Sequence, residues 1–220
     1  NYISMTDLTF NEQDHTYWWK IKQQLLAITS VLKLANVLDA YVYGTNEVPL
    51  TRGSFVHEAT TFVDSGTLNW ETLDDQLVPY VKAYAAFKED CLPKWSMTEH
   101  ALGDPALGIA GTLDRYGTFV PPGQKRKRLT ILDIKTTSTG AMADWHGIQL
   151  AGYWHLLTHH LTMTGRMQYE KALKIERWAL YLTKDGSYTL KQFSDMKDIA
   201  VFNAAVTIAG WRHANGKGDS

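Results

Sequence analysis

Two carboxylates and a lysine carry the chemistry that this sequence suggests. Asp114 ends the motif Gly111-Thr-Leu-Asp114, and Asp133 and Lys135 share the motif Leu132-Asp133-Ile-Lys135. Two carboxylates close together repel each other unless a cation lies between them, and Mg²⁺ typically takes one or two carboxylates together with waters and phosphate oxygens. An ammonium beside such an ion orients attacking water and stabilises negative charge on a phosphate. The set therefore indicates metal-assisted hydrolysis of a phosphodiester.

The flanking residues predict that these groups lie on strands. Alternation puts Asp133 and Lys135 on one face of a short strand, with Leu132 and Ile134 buried on the other. An Asp-x-Lys triplet alone is also typical of a strand end in water, so the buried neighbours and the second carboxylate are what favour a site. Two glycines in the strand before Asp114 admit a bulge or a close backbone approach that would aim its side chain.

Three motifs in order resemble the PD-(D/E)XK nuclease superfamily, and within it the RecB-like exonuclease branch with its many phage-encoded members. They are Gly111-Thr-Leu-Asp114, Leu132-Asp133-Ile-Lys135 and Gln149-x-x-x-Tyr153. The resemblance covers roughly residues 28 to 160. One departure is Leu113, which stands where the superfamily name has Pro, a frequent variation.

The resemblance implies a role for each matching residue. Asp114 and Asp133 would be metal ligands, with the backbone carbonyl of Ile134 as a third, and Lys135 would be the catalytic amine. The implied metal is Mg²⁺, with Mn²⁺ as a substitute. Cys91 is the single cysteine, which excludes the four-cysteine iron–sulfur cluster that some relatives carry.

Segments upstream of these motifs extend the resemblance. Ile28-Thr-Ser-Val-Leu32 and Arg52-Gly53 precede His57 on a predicted helix, and Glu99 precedes the glycine-containing strand. The family implies that His57 binds metal or the scissile phosphate and that Glu99 is a metal-linked carboxylate. A packed histidine and a solvated glutamate are the respective alternatives. Glu58 points about 100° away from its neighbour on the helix, so only one of the two can face the site, and His57 is the predicted one.

Gln149 and Tyr153 lie four residues apart on a predicted helix over 145–161, which puts them on one face. They would contact the substrate backbone or hold Lys135 in place. The alternative is an amphipathic helix whose polar side carries a glutamine and a tyrosine.

The charge pattern gives a mixed indication of nucleic-acid binding. A formal net charge of −1 and a pI near 6.8 argue against a strong general grip on phosphates. The dense run Lys125, Arg126, Lys127 and Arg128, together with Arg52, is the predicted contact with nucleic acid. The run is also typical of a solvated hairpin tip.

Aromatic residues are numerous, with eight Trp and eleven Tyr. Trp18, Trp19 and Trp95 are candidates for stacking on unpaired bases, which favours a DNA partner that is single-stranded or has accessible ends. Trp70, Trp154 and Trp178 are predicted to fill the core.

The predicted fold is one α/β domain over 1–220, a restriction-endonuclease-like core with a mixed central sheet flanked by helices and an N-terminal helical elaboration. Its helical front covers about 1–95, its catalytic core about 96–192 and its C-terminal helix about 195–214, with the site at one edge of the sheet. The predicted elements are a hairpin within 2–20, helices near 27–38, 52–64, 74–91, 145–162 and 195–214, and strands near 96–102, 107–119, 128–135, 176–183 and 187–192.

No run of about 18 apolar residues occurs and the N-terminus lacks a basic-then-apolar layout, so the sequence predicts neither a membrane helix nor a signal peptide. The expected location is intracellular, in the cytoplasm of a bacterial or phage-infected host.

The expected function is that of a metal-dependent deoxyribonuclease, an exonuclease used in replication, recombination or repair. A nucleic-acid-binding scaffold with an inactive nuclease fold and a restriction-type endonuclease are the alternatives.

Overall fold

A computed structural model of the protein describes residues 7–38, 47–137 and 142–217. Its strands are β1 Leu8–Asn11, β2 Thr16–Trp19, β3 Gln23–Ala27, β4 Lys94–Asp104, β5 Ile109–Phe119, β6 Arg128–Thr137, β7 Glu176–Thr183 and β8 Tyr188–Gln192. Its helices are α1 Ile28–Leu34, α2 Glu47–Ser65, α3 Val78–Cys91, α4 Trp145–Met163, α5 Tyr169–Ala172 and α6 Lys197–Ala214, with a 3₁₀ turn at Trp70–Thr72.

Within these residues the eight strands form one mixed sheet. The strands β1, β2 and β3 form an antiparallel meander, and β3 pairs in parallel with the first residues of β5. On one side of β5, β4 pairs with it along its length. On the other side, β6 pairs antiparallel with the second half of β5. Beyond β6, β7 pairs in parallel with β6, and β8 pairs antiparallel with β7. The two strands that carry Asp114 and Asp133 are therefore central strands, and the prediction of a site at one edge of the sheet is wrong.

Helices cover both faces of the sheet. One apolar cluster joins α1, α4 and α6 to Ile131 of β6, and the other joins α2 and α3 to Leu132 and Ile134 of the same strand. Successive residues of β6 thus alternate between the two layers, as the period of a strand requires. Asp133 and Lys135 project towards α4, on the face that the sequence predicted. No helix of the described segments combines the length and the apolar character needed to cross a bilayer.

The predicted α/β class, a mixed sheet flanked by helices, is confirmed. The N-terminal half is only partly helical, however, because it contributes three strands to the sheet. The segment Gln23–Ala27 is strand β3, where the sequence predicted no strand. Its composition suits a helix, but left-handed backbone at Lys20 and Ile21, with φ of 51° and 60°, turns the chain back so that β3 pairs with both β2 and β5.

Two tryptophans lie differently from their predicted places. Trp95 packs against the α3 layer and its indole N–H donates to the Tyr84 hydroxyl at 3.2 Å, so it is occupied inside the fold. Trp70, predicted for the core, is 44% exposed. Trp178 is buried, as predicted.

The buried His160 of α4 makes folding sensitive to acid. Burial lowers its pKa to about 4, and the nearby Arg166 and the histidines His100 and His159 add to the effect. Its Nε2 is buried without a hydrogen-bond partner in the structure. The unfolded chain, whose histidine titrates near 6.5, therefore takes up a proton first as the pH falls.

We expect the protein to lose stability as the pH falls from 6.5 towards 4, and His160→Leu to reduce this loss by about 1–2 kcal/mol. Urea unfolding at several pH values measures the free energies. Equal pH slopes for the wild type and the variant would contradict the assignment.

Candidate functional site

The site lies where β5 and β6 separate. They are paired from Phe119 opposite Arg128 to Arg115 opposite Leu132, and beyond that point β6 no longer pairs with β5. In place of a strand hydrogen bond, the backbone N–H of Ile134 donates to Asp114 Oδ2 at 2.6 Å. A buried N–H must find an acceptor, and a carboxylate here serves as one. The separation opens a gap into which side chains from both helical layers reach.

Three of the predicted ligands meet in this gap. One ligand atom each from His57, Glu99 and Asp114 lies within 4.8 Å of the others. The His57 Nδ1 is 3.5 Å from Asp114 Oδ1 and 3.6 Å from Glu99 Oε1. Its Nε2 is 2.9 Å from the carbonyl oxygen of Ile134, the predicted backbone ligand. One imidazole and three oxygens that the sequence proposed as metal ligands are thus brought together.

The position of His57 follows from the packing of α2. Val56 is fully buried beneath the helix, and the helix passes close to Thr136 near the end of β6 at Gly53. His57 follows Val56 and so points towards the gap. Burial alone would lower the pKa of His57, but the carboxylates of Asp114 and Glu99 outweigh it and raise the pKa to about 10.

Glu99 comes from the other neighbour of β5. The register of β4 sets Thr98 opposite Arg115 and His100 opposite Leu113, so that Glu99 lies opposite Asp114. Its backbone is left-handed, with φ of 42°, which is uncommon for a residue other than glycine. The second carboxylate of the cluster therefore stands on a locally strained backbone.

Asp133 and Lys135 form the second half of the site. Asp133 Oδ2 is 2.7 Å from Lys135 Nζ, a close ion pair in which the carboxylate is buried. Lys135 Nζ donates to Gln149 Oε1 at 2.8 Å, and Gln149 Nε2 donates to the Tyr153 hydroxyl at 3.3 Å. The indole of Trp145 lies 5.8 Å from the ammonium. The structure therefore places Gln149 of α4 directly against the lysine, and Tyr153 reaches it only through Gln149.

The pKa values of the two aspartates are shifted in opposite directions. Burial raises the pKa of Asp133 and the negative charge of Asp114 adds to it, although Lys135 opposes the change. Burial would also raise the pKa of Asp114, but the charges of His57 and Lys135 outweigh it, and the pKa is lowered. The carboxylates are near enough to influence each other, while Asp133 lies outside the His57–Glu99–Asp114 cluster.

The predicted basic residues lie apart from this cluster. Lys125, Arg126 and Lys127 are exposed in the loop between β5 and β6, whereas Arg128 is half-buried and pairs with Glu176 at 3.3 Å. The loop is at the closed end of the hairpin, and the five residue-to-residue steps from Arg128 to Asp133 span about 17 Å of strand. Contact between this loop and nucleic acid would thus be made some distance from the carboxylates.

Arg52 lies on a different flank of α2. Its guanidinium stands over the Tyr80 ring at 5.2 Å, and its Nε is buried without a hydrogen-bond partner in the structure. It lines a groove of about 810 Å³ together with Phe55 and Phe62.

Arg115, the residue after Asp114, was not among the predicted site residues. Its side chain is 0% exposed and bonds to four residues around the site. The signal was available, because a charged residue in the middle of an apolar strand must find partners inside the fold. Which partners these are cannot be read from the strand itself.

No protein-family model matches the chain, and no curated protein matches it in sequence. The solved structure of a proposed exonuclease from Eubacterium rectale is similar, with a TM-score of 0.50 and 11% identity over 88% of this chain and 82% of that chain. The protein SSO0001 aligns with a TM-score of 0.35 and 12% identity over 84% of this chain and 73% of that chain, which supports no conclusion. The first match shows that the protein has a nuclease-like fold.

Gly111 makes room for Tyr153, the last residue of the hydrogen-bond chain that runs from Lys135 through Gln149. A Cβ at Gly111 would lie 2.8 Å from Tyr153 Cε1 and 3.0 Å from Ile28 Cγ1. We expect Gly111→Ala to displace the Tyr153 ring and to lower the free energy of unfolding by about 1–3 kcal/mol. Gly210→Ala is the matched control, since a Cβ at that position would have nothing within 4 Å, and it should raise stability slightly because alanine favours a helix. Thermal unfolding distinguishes the two, and an unchanged Gly111→Ala protein would contradict the tight packing.

Proposed function

We propose that the protein is a metal-dependent deoxyribonuclease of the PD-(D/E)XK superfamily, of its RecB-like branch, and that it acts as an exonuclease. The observation that carries the proposal is the meeting of His57, Glu99 and Asp114 beside the Asp133–Lys135 pair, where two central strands separate. The order of these residues along the chain is that of the superfamily motifs.

The donor set fits Mg²⁺ or Mn²⁺. Asp114 and Glu99 offer the hard oxygen ligands that these ions prefer, and His57 offers one nitrogen, Nδ1. The Ile134 carbonyl lies 2.9 Å from the other ring nitrogen, Nε2, so a ligand role for it would need a different orientation of the ring. Asp133 lies beside this set and is paired with Lys135 at 2.7 Å. His57 must lose a proton before its Nδ1 could bind a cation, so metal and proton compete for this position.

Lys135 would act at the scissile phosphate. When bound, the metal ion polarises the phosphate and makes the attacking water more acidic. Lys135 would orient that water and stabilise the negative charge that develops on the phosphate oxygens. Gln149 keeps the ammonium aimed, because it accepts one of the three N–H bonds at 2.8 Å. The water oxygen would bond to phosphorus and release one proton to solvent, the bond to the leaving sugar oxygen would break, and that oxygen would take up one proton from solvent.

Exonuclease action on DNA is the finer part of the proposal. The structurally similar protein from Eubacterium rectale is itself described as a proposed exonuclease, which favours attack from an end over internal cutting. DNA that is single-stranded or has accessible ends is the proposed substrate, in replication, recombination or repair.

The experiment is digestion of 5′- and 3′-labelled single- and double-stranded DNA with Mg²⁺ or Mn²⁺. Stepwise loss of terminal nucleotides is expected. Discrete internal cuts would contradict the exonuclease assignment and favour a restriction-type endonuclease. No cutting with either metal would favour a catalytically inactive binding scaffold.

Lys135→Ala should lower the cleavage rate by about a thousandfold or more, as expected for loss of an electrostatic group at the transition state. DNA binding, measured by anisotropy, should be retained. Lys82→Ala, at an exposed position of α3, is the control and should cleave like the wild type. Residual cleavage by Lys135→Ala near the starting rate would count against the assigned role.

The basic loop between β5 and β6 is tested by the salt dependence of DNA binding. Replacing Lys125 and Lys127 by Ala should make the negative slope of log K against log salt shallower by about 1.4–1.8, because each lost phosphate contact removes about 0.7–0.9 from its magnitude. Replacing Lys82 and Lys197, two exposed lysines on α3 and α6, removes the same charge elsewhere. An equal slope for both double variants would remove the loop from the interface.

A further inference from the structure

Arg115 is a buried cation that joins the candidate metal cluster to the α2–α3 layer. Its Nε donates to Asp64 Oδ2 at 2.8 Å, and one terminal nitrogen donates to Thr60 Oγ1 at 2.7 Å. The other terminal nitrogen donates to Glu99 Oε1 at 2.9 Å and to the backbone carbonyl of Asp114 at 2.8 Å. A single guanidinium thus contacts two helix residues on one side and two residues of the cluster on the other.

The helical side of this network is held firmly. The guanidinium lies 5.8 Å from the centre of the Tyr84 ring, and the Tyr84 hydroxyl donates to the same Asp64 oxygen at 2.8 Å. Lys88 also contacts the backbone carbonyl of Asp64 at 3.1 Å. Since a buried guanidinium is costly unless its N–H groups are matched, this anchoring fixes Arg115 in one orientation.

Glu99 depends on that orientation. Its side chain is 34% exposed, so water competes for the carboxylate, and its backbone is left-handed. Strained backbone persists only where the surroundings over-determine it. The bond from Arg115 supplies such a restraint and keeps Glu99 Oε1 within 3.6 Å of His57 Nδ1.

We infer that Arg115 is a positioning residue of the metal site, which holds the Glu99 carboxylate and the Asp114 backbone so that their ligand oxygens converge. The inference rests on the proposed function, because it concerns the same site. Arg115 also offsets the repulsion between the two carboxylates without occupying a ligand position itself.

Charge and geometry act in opposite directions on metal affinity. The positive charge of Arg115 repels a divalent cation, whereas its hydrogen bonds arrange the ligands that attract one. Lysine keeps the charge and loses the planar fork. Arg115→Lys therefore isolates the geometric contribution, and a role through charge alone predicts no change.

The test is calorimetric titration of Mg²⁺ and of Mn²⁺ into the protein without DNA. Arg115→Lys should bind each metal about 10- to 100-fold more weakly, as is usual when a group that orients metal ligands is changed. Wild-type affinity in this variant would overturn the inference.

Arg177→Lys is the matched control. Arg177 is also a buried arginine, paired with Asp198 at 3.2 Å and bonded to the Asp195 carbonyl at 2.7 Å. This variant should lose thermal stability and keep the wild-type metal affinity. A comparable loss of metal affinity in Arg177→Lys would reduce the effect at Arg115 to general destabilisation and overturn the inference.

Thr60→Val covers the case in which Arg115→Lys does not fold. It removes the Thr60 hydroxyl, which accepts from Arg115 and donates to the backbone carbonyl of His57 within α2. The guanidinium, the carboxylates and the His57 ring stay in place. We expect about threefold weaker metal binding, the effect of one hydrogen bond, and unchanged affinity would overturn the inference.

Asp114→Asn separates failure of the inference from failure of the proposed function. If the wild type and Asp114→Asn bind metal equally, or neither binds, the metal site itself is wrong and both proposals fall. If Asp114→Asn loses binding while Arg115→Lys retains it, only the positioning role falls.

Discussion

The arrangement of this protein depends on balancing the negative charge that collects where β5 and β6 separate. Asp114 enters the gap, where its carboxylate accepts the backbone N–H of Ile134 on the side of β6 that β5 no longer pairs. Glu99 adds a second carboxylate to the same cluster, and Asp133 adds a third just outside it. Unpaired buried charges are costly, so each of the surrounding elements must supply a compensating group.

Three cations supply that balance, and each is held by a different part of the fold. His57 comes from α2, Lys135 from β6 beneath α4, and Arg115 from β5 itself. The gap between the strands lets groups from the two helical layers act at one place, which an unbroken sheet would keep apart. Binding of a divalent cation would shift this balance, because His57 and the metal would compete for the same oxygens.

Some basic residues of this near-neutral protein are used inside the fold. Arg115 and Arg177 are buried and engaged with Asp64 and Asp198, so they add nothing to an external phosphate-binding surface. The exposed positive charge between β5 and β6 is concentrated in the loop before Arg128, which is itself half-buried and paired with Glu176. A nucleic-acid contact in this protein would therefore be local, and a protein of near-neutral charge can still make it.

Local sequence patterns specify the candidate chemistry and the elements that carry it. The alternation along β6 places Asp133 and Lys135 together on one face, the spacing of four places Gln149 and Tyr153 on one side of α4, and the motif order predicts the mixed α/β class. These features follow from periodicity over a few residues, which the chain carries locally.

Which groups meet, in contrast, depends on how distant segments pack. Pairing with β2 and β5 makes β3 a strand despite its helical composition, and the same sheet places the strands that carry Asp114 and Asp133 at its centre. Asp64, Glu99 and Arg115 come together through strand register and helix packing, and no local pattern specifies those.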